Sequence, residues 1–99
     1  MSRIEIRLTE SAEAQILEAF DWYSKRSATV ADRFIDELDS CLEQISSFPL
    51  SHPTSYRELR RALLNKFPFK VFYRIDHDVA YVFAVLHHSR SEEKALGNL

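Results

Sequence analysis

Residues 67–75, FPFKVFYRI, alternate apolar side chains with a second set that contains two fixed positive charges. Successive side chains of a strand point to opposite faces of a sheet, so this alternation predicts a half-buried strand. The first set packs against a core; it consists of Phe67, Phe69, Val71, Tyr73 and Ile75. We expect the second face, which carries Lys70, Phe72 and Arg74, to look outward.

The other elements follow from periodicity and from capping residues. Apolar residues at helical spacing predict a first helix over about 10–25, capped by Thr9, and a second helix that Pro49 ends. A polar break at 25–29 separates them, and Thr29 with Asp32 resembles a capping box for the second. Alternating or β-rich runs predict strands at 3–8, 56–64, 67–75 and 79–88, and Gly97 ends a short last helix.

This order predicts an α+β fold, β-α-α-β-β-β, in one domain over residues 1–99. Two helices joined by so short a link pack as an antiparallel hairpin. We expect the hairpin to cover one face of an antiparallel sheet, and specifically the face that carries Phe69 and Tyr73.

Composition indicates the cellular compartment in which the protein is expected. Cys41 is the only cysteine, so an intrachain disulfide is excluded and a reducing compartment is favoured. The N-terminal segment lacks the apolar stretch of a signal peptide, and the apolar runs are too short to cross a membrane. We expect a cytoplasmic protein without membrane contact.

The net charge of −2 hides an asymmetry between the two halves of the chain. Residues 1–50 contain 5 Lys and Arg against 10 Asp and Glu, whereas residues 51–99 contain 8 against 5. Six cations lie between Arg57 and Arg74. Such a basic field on an acidic body favours a phosphate-bearing partner.

The candidate residues for catalysis or phosphate binding lie on the last three predicted strands or directly after them. They are Lys70 and Arg74 on the third strand, Arg60 and Arg61 on the second, and His87 and Arg90 at the end of the fourth. In a meander the end of the fourth strand lies beside the start of the third, so Arg90 is expected to approach Lys70. Converging cations with a nearby histidine suit a phosphate site, and cleavage of RNA by its own 2′-hydroxyl needs such groups.

Each candidate residue also has an interpretation that requires no role in catalysis or binding. Lys70 and Arg74 can simply keep a sheet face soluble, and His87 can be a hydrogen-bonded structural histidine. An outward Phe72 suits stacking on a base or, more often, a protein contact. The spacing of His, Cys and acidic residues predicts no metal site, and a single glycine excludes Gly-rich nucleotide motifs, so we expect no cofactor.

Several segments resemble the RelE/ParE superfamily of toxins from type II toxin–antitoxin (plasmid stabilisation) systems. They are LTESAEAQILEAFDWY, ISSFP, LRRALLNKFPFKVFYRI and VAYVFAVLHHSR, and together they span nearly the whole chain. The long helical hairpin and His87-x-x-Arg90 resemble the ParE branch more than the RelE branch. The resemblance implies the β-α-α-β-β-β fold, and either inhibition of DNA gyrase (ParE-like) or cleavage of messenger RNA on the ribosome (RelE-like).

The resemblance also implies roles for particular residues. In a RelE-like nuclease, Lys70 and Arg90 would hold the scissile phosphate and His87 would carry a proton. Arg60 and Arg61 lie near the positions at which other members have second-strand lysines. RelE-like nucleases place a tyrosine or histidine after the basic residue that Arg90 matches, but here the tail reads SEEKALGNL and contains neither. We therefore favour a ParE-like gyrase inhibitor. An endoribonuclease and a non-toxic module of the same fold stay open, as does the question whether the chain is an enzyme.

All three alternatives share one partner, a cognate antitoxin. In this family it lays a helix along the helical hairpin and an extended segment beside the sheet, which requires exposed apolar surface. We expect that surface to include Phe20, Trp22, Tyr23 and Phe72. A homodimer formed through the same surface is a further alternative when the antitoxin is absent.

Overall fold

The computed structural model describes residues 3–97. Their elements are β1 (Glu5–Leu8), α1 (Glu10–Ser24), α2 (Ala28–Ser47), β2 (Arg60–Leu63), β3 (Phe69–Asp76), β4 (Val79–His87) and α3 (Glu92–Leu96). This order confirms the predicted α+β fold and the short last helix.

The helical hairpin is fixed by two capping side chains. Thr9 Oγ1 accepts a hydrogen bond from Ala12 N, as predicted for the start of α1. The predicted cap of α2 at Thr29 is wrong: Ser27 caps this helix, and its Oγ accepts from Val30 N. Ser27 has an extended backbone and precedes Thr29, so the helix begins earlier and the break between the helices is shorter than expected.

The four strands form one sheet in the order β1-β4-β3-β2. β2, β3 and β4 form the predicted antiparallel meander, but β1 pairs parallel with β4, so the sheet is mixed rather than wholly antiparallel. β2 is shorter than the predicted 56–64 because Arg57 and Glu58 have positive φ values (48° and 69°), which interrupt an extended chain.

β4 contains an irregularity that the alternation of its sequence does not reveal. Tyr73 pairs with Val82 and Phe72 pairs with Ala84, so Phe83 is an extra residue, a β-bulge. The bulge reverses which side chains face the helices: Val82 does so before it and Val85 after it. Strict alternation would have placed Phe83 and Val85 on one face, but they pack on opposite faces of the sheet.

The sheet has a hydrophobic core on each face. On the hairpin face, Phe69, Val71 and Tyr73 pack with helix residues such as Phe34 and Ile45, as predicted. The opposite face is covered by α3 and by the loop before β2, where Phe72 packs in a cluster with Leu59, Ala84, Leu86 and Leu96. The predicted outward position of Phe72 is wrong, since its side chain is 0% exposed.

Candidate functional site

Lys70 is held in an ion pair on the face of the sheet that α3 covers. Its Nζ lies 2.8 Å from Glu92 Oε2, and the lysine side chain is only 12% exposed. Ser55 Oγ donates to the other oxygen of Glu92 at 3.1 Å, and Arg61 lies 3.7 Å from the carboxylate. The hydrogen bond from Lys70, with smaller contributions from Ser55 and Arg61, lowers the pKa of Glu92. The cation that the sequence suggested for phosphate binding, Lys70, is thus already paired with a carboxylate of the same chain.

Arg60 and Arg74 do not join this cluster. Arg60 donates to the backbone oxygens of His52 at 2.5 Å and Leu50 at 3.4 Å, so it holds the loop after α2. The guanidinium of Arg74 lies 5.1 Å from the centre of the Phe83 ring, farther along β3. Arg60 therefore has a structural contact, and Arg74 is exposed on the same sheet face as Lys70.

His87 and Arg90 lie on the other face of the sheet from Lys70. Lys70 is paired with Leu86, which packs towards α3, whereas His87 is paired with Phe69, which packs towards the hairpin. The His87 ring contacts Phe69 edge-on at 5.3 Å, and Arg90 lines the same cavity. The predicted convergence of Lys70 and Arg90 on one surface is wrong, because Arg90 lines the hairpin-side cavity with His87 whereas Lys70 pairs with Glu92 on the other face.

The hydrogen bonds of His87 fix the role of one of its ring nitrogens. Ser89 N donates to His87 Nδ1 at 3.0 Å, so Nδ1 acts as an acceptor and the neutral ring carries its proton on Nε2. The Ser89 hydroxyl lies 2.8 Å from the same nitrogen. His87 is hydrogen-bonded, as its structural interpretation required, but it is exposed rather than turned into the core.

The three predicted antitoxin residues of α1 differ in exposure. Trp22 is 53% exposed, and the Arg26 guanidinium covers its ring at 3.5 Å. Tyr23 is half-buried and packs edge-on against Phe67, with ring centres 5.2 Å apart. Phe20 is half-buried and lies in an apolar groove of the hairpin. Phe72 is not available to a partner while α3 is in place, because its side chain is inaccessible.

The apolar groove crosses the hairpin from β1 to α2. Leu17, which is 60% exposed, stands at its edge. The residues that line it are Leu8, Glu13, Ala14, Ile16, Leu17, Phe20 and Ile35. Only Glu13 among them is charged, so the groove is suited to an apolar helix face.

Sequence reasoning missed Glu92 and Ser55 as neighbours of Lys70. Ser55 lies in the loop before β2, and Glu92 lies at the start of a short helix. Neither belongs to a periodic pattern in the sequence that would predict contact with β3. The only available signal was the acidic pair in SEEK, directly after Arg90.

Two further observations concern metal binding and membrane-spanning helices. Within residues 3–97, His, Cys, Asp and Glu side chains form no group of three that could hold a metal ion. None of the helices in that range combines the length and apolarity that crossing a bilayer requires.

The fold is one found among toxin–antitoxin proteins. It matches a chain of the chromosomal ParDE TA system from P. aeruginosa with a TM-score of 0.75 at 13% sequence identity, covering 86% of this chain and 96% of that one. The model of the family described as the ParE toxin of the type II toxin–antitoxin system parDE matches residues 6–92. The chain therefore belongs to the ParE toxin family. Among curated proteins, no sequence matches it.

Proposed function

We propose that this ParE-family toxin stops growth in the cytoplasm by inhibiting DNA gyrase, without cutting nucleic acid, and that a cognate antitoxin neutralises it. The observation that carries this proposal is the dispersal of the candidate nuclease residues. Lys70 is paired with Glu92 on one face of the sheet, whereas His87 and Arg90 line a cavity on the other. Cleavage by a 2′-hydroxyl needs its cations and its acid and base around one phosphate.

The C-terminal segment gives a second argument. A RelE-like nuclease would carry an acid–base residue after Arg90, but the chain has Glu92 there, with its carboxylate against Lys70. A carboxylate in that position repels a phosphate instead of promoting its cleavage. The net charge of −2 also disfavours tight binding to ribosomal RNA, which depends on phosphate neutralisation.

The apolar groove supports the antitoxin part of the proposal. It lies on the exposed side of the helical hairpin and presents Leu17 and Phe20 to a partner. An amphipathic helix binds such a groove through apolar residues at helical spacing. Covering the groove removes apolar surface from water, which offsets the entropy lost when a disordered antitoxin folds on the toxin.

Induced expression in bacteria tests the proposal. We expect growth arrest in which labelled DNA synthesis falls while translated messages stay intact, and co-expression of the antitoxin from the neighbouring reading frame should restore growth. Codon-specific cuts in translated messages would favour the ribonuclease instead. Growth without arrest would favour a non-toxic module.

A matched pair of variants tests the groove. Leu17→Asp should keep the growth arrest but lose much of the neutralisation, because a charge then faces the antitoxin helix. Leu63→Asp is the control, since Leu63 is 55% exposed but lies on β2, away from the groove. Equal neutralisation of both variants would place the antitoxin elsewhere.

A further inference from the structure

A second cavity lies between the C-terminal half of α1 and the end of β4, and it is not part of the apolar groove. Its volume is about 320 Å³. Apolar and aromatic side chains line it, namely Ala19, Tyr23, Phe69 and Val85. The rings of Tyr23 and Phe69 are 6.3 Å apart, centre to centre, and both belong to the hairpin-side core. The aromatic wall is therefore supported by packed residues.

A hydrogen bond between two residues that line this cavity joins α1 to β4. β1 ends at Leu8, so β4 has no strand neighbour on that side after Val82. Gln15 Oε1 accepts from Val85 N at 2.8 Å and thereby satisfies a backbone donor that a longer β1 would have bonded. The cavity thus has one wall on α1 and another on β4.

The cavity also has charged groups of opposite sign. Glu18 belongs to the α1 wall and Arg90 follows the β4 wall. Both are exposed, and neither forms an ion pair with any side chain of the described range 3–97. The remaining lining residues are Gln15, Trp22, His87 and Ser89.

We propose that this cavity is an anchor pocket for the antitoxin. It takes one large apolar side chain, with a carboxylate of the antitoxin placed at Arg90 and a cation at Glu18. The identity of the partner rests on the proposed function; the chemistry of the segment comes from the cavity itself. Because α1 carries both surfaces, a partner that lies in the groove at Phe20 reaches the anchor pocket by crossing the end of the helix.

The three parts of the segment have separate physical roles. Burial of an aromatic ring supplies most of the affinity, as anchors at the centre of interfaces do. The charges at the mouth are exposed, so they contribute less and mainly fix orientation. Loss of the ring should therefore weaken binding more than reversal of one charge.

Trp22 provides the readout because it is the only tryptophan of the chain and it lines the cavity. The probe is the peptide acetyl-Lys-Ser-Phe-Ser-Glu-amide, titrated into the full chain while tryptophan fluorescence and the Val85 and His87 amide resonances are followed. We expect saturable changes, and replacement of the peptide phenylalanine by alanine should weaken binding about tenfold or more.

Two protein variants separate the pocket from general surface charge. Arg90→Glu should weaken binding several-fold, whereas His88→Glu should leave it unchanged, because His88 is exposed beside the cavity but does not line it. Equal affinity of the phenylalanine and alanine peptides, equal effects of the two variants, or the absence of saturation would overturn the proposal. Equally tight binding of free phenylalanine would also overturn it, in favour of a small-molecule site.

Competition identifies the partner. Purified antitoxin should displace the peptide, and simultaneous binding of both would show that the antitoxin does not use this pocket. These results are independent of the neutralisation assay, because an antitoxin that neutralises without displacing the peptide refutes the anchor pocket alone. Failure of neutralisation would instead refute the proposed function.

Discussion

Replacement of Phe72 by alanine tests whether α3 and the loop before β2 form a second hydrophobic core. The ring is 0% exposed and packs with Leu59, Leu86 and Leu96. Removal of a buried phenylalanine costs about 3–5 kcal/mol, which combines lost burial with the cavity left behind. A chain of this size has a total free energy of unfolding of about 5–15 kcal/mol, so the loss is a large part of it.

Urea denaturation followed by far-ultraviolet circular dichroism measures this loss. With an m-value of about 1.5 kcal/mol/M, the midpoint should fall by about 2 M or more while m stays unchanged. Leu63→Ala is the control, because Leu63 lies on the neighbouring strand but is 55% exposed. It should change stability by less than about 0.5 kcal/mol. If Phe72→Ala were as mild as this control, the second core would not exist and Phe72 would face solvent.

Three further predictions concern titratable groups. In a double-mutant cycle with Lys70→Met and Glu92→Gln, we expect a coupling energy of about 1–2 kcal/mol from denaturation midpoints, and additive effects would contradict the partly buried ion pair. Because the pKa of Glu92 is lowered in the fold, this stabilisation should be present above the pKa of an unfolded glutamate and disappear as the pH falls through the folded value. Burial, reinforced by Arg60, lowers the pKa of His52, so the unfolded chain binds more protons near its ordinary value of 6.5 and stability should fall between pH 7 and 5. His52→Asn should flatten that slope, and an unchanged slope would assign it to other groups. Burial raises the pKa of the Cys41 thiol to about 11, so iodoacetamide should modify it only at the rate of unfolding, and rapid alkylation of the folded protein would show that the thiol is accessible.

The fold was predictable because its main signals are local and periodic. The alternation at 67–75 identified β3 and assigned the side chains at 69, 71 and 73 to the hairpin core, as the structure confirms. Helical spacing did the same for α1 and α2. What failed locally were features that depend on single backbone conformations, such as the bulge at Phe83 and the positive φ values before β2.

The candidate site was less predictable because its contacts join residues distant in sequence. A period-2 pattern separates two faces of a strand, but it does not say what covers each face. Phe72 was assigned to solvent because α3, which buries it, lies in a short polar tail. The pairing of Lys70 with Glu92 likewise depends on where that tail returns to the sheet.

The proximity of strand ends was also insufficient to place the cations. The end of β4 does lie beside the start of β3, as expected. The facing of each side chain nevertheless depends on its position in the register, and the bulge at Phe83 changes that position for all later residues of β4. His87 at the end of β4 therefore faces the hairpin, whereas Lys70 on β3 faces α3; Arg90, which follows β4, lines the cavity on the hairpin side.

Supercoiling of relaxed plasmid by purified DNA gyrase tests the proposed mechanism most directly. We predict that the purified toxin inhibits supercoiling in a dose-dependent manner, that prior addition of the antitoxin relieves the inhibition, and that Lys70→Ala, if it stays folded, inhibits as well as the original chain. Undiminished supercoiling at a molar excess of toxin, together with cleavage of translated messages that Lys70→Ala abolishes, would contradict the account.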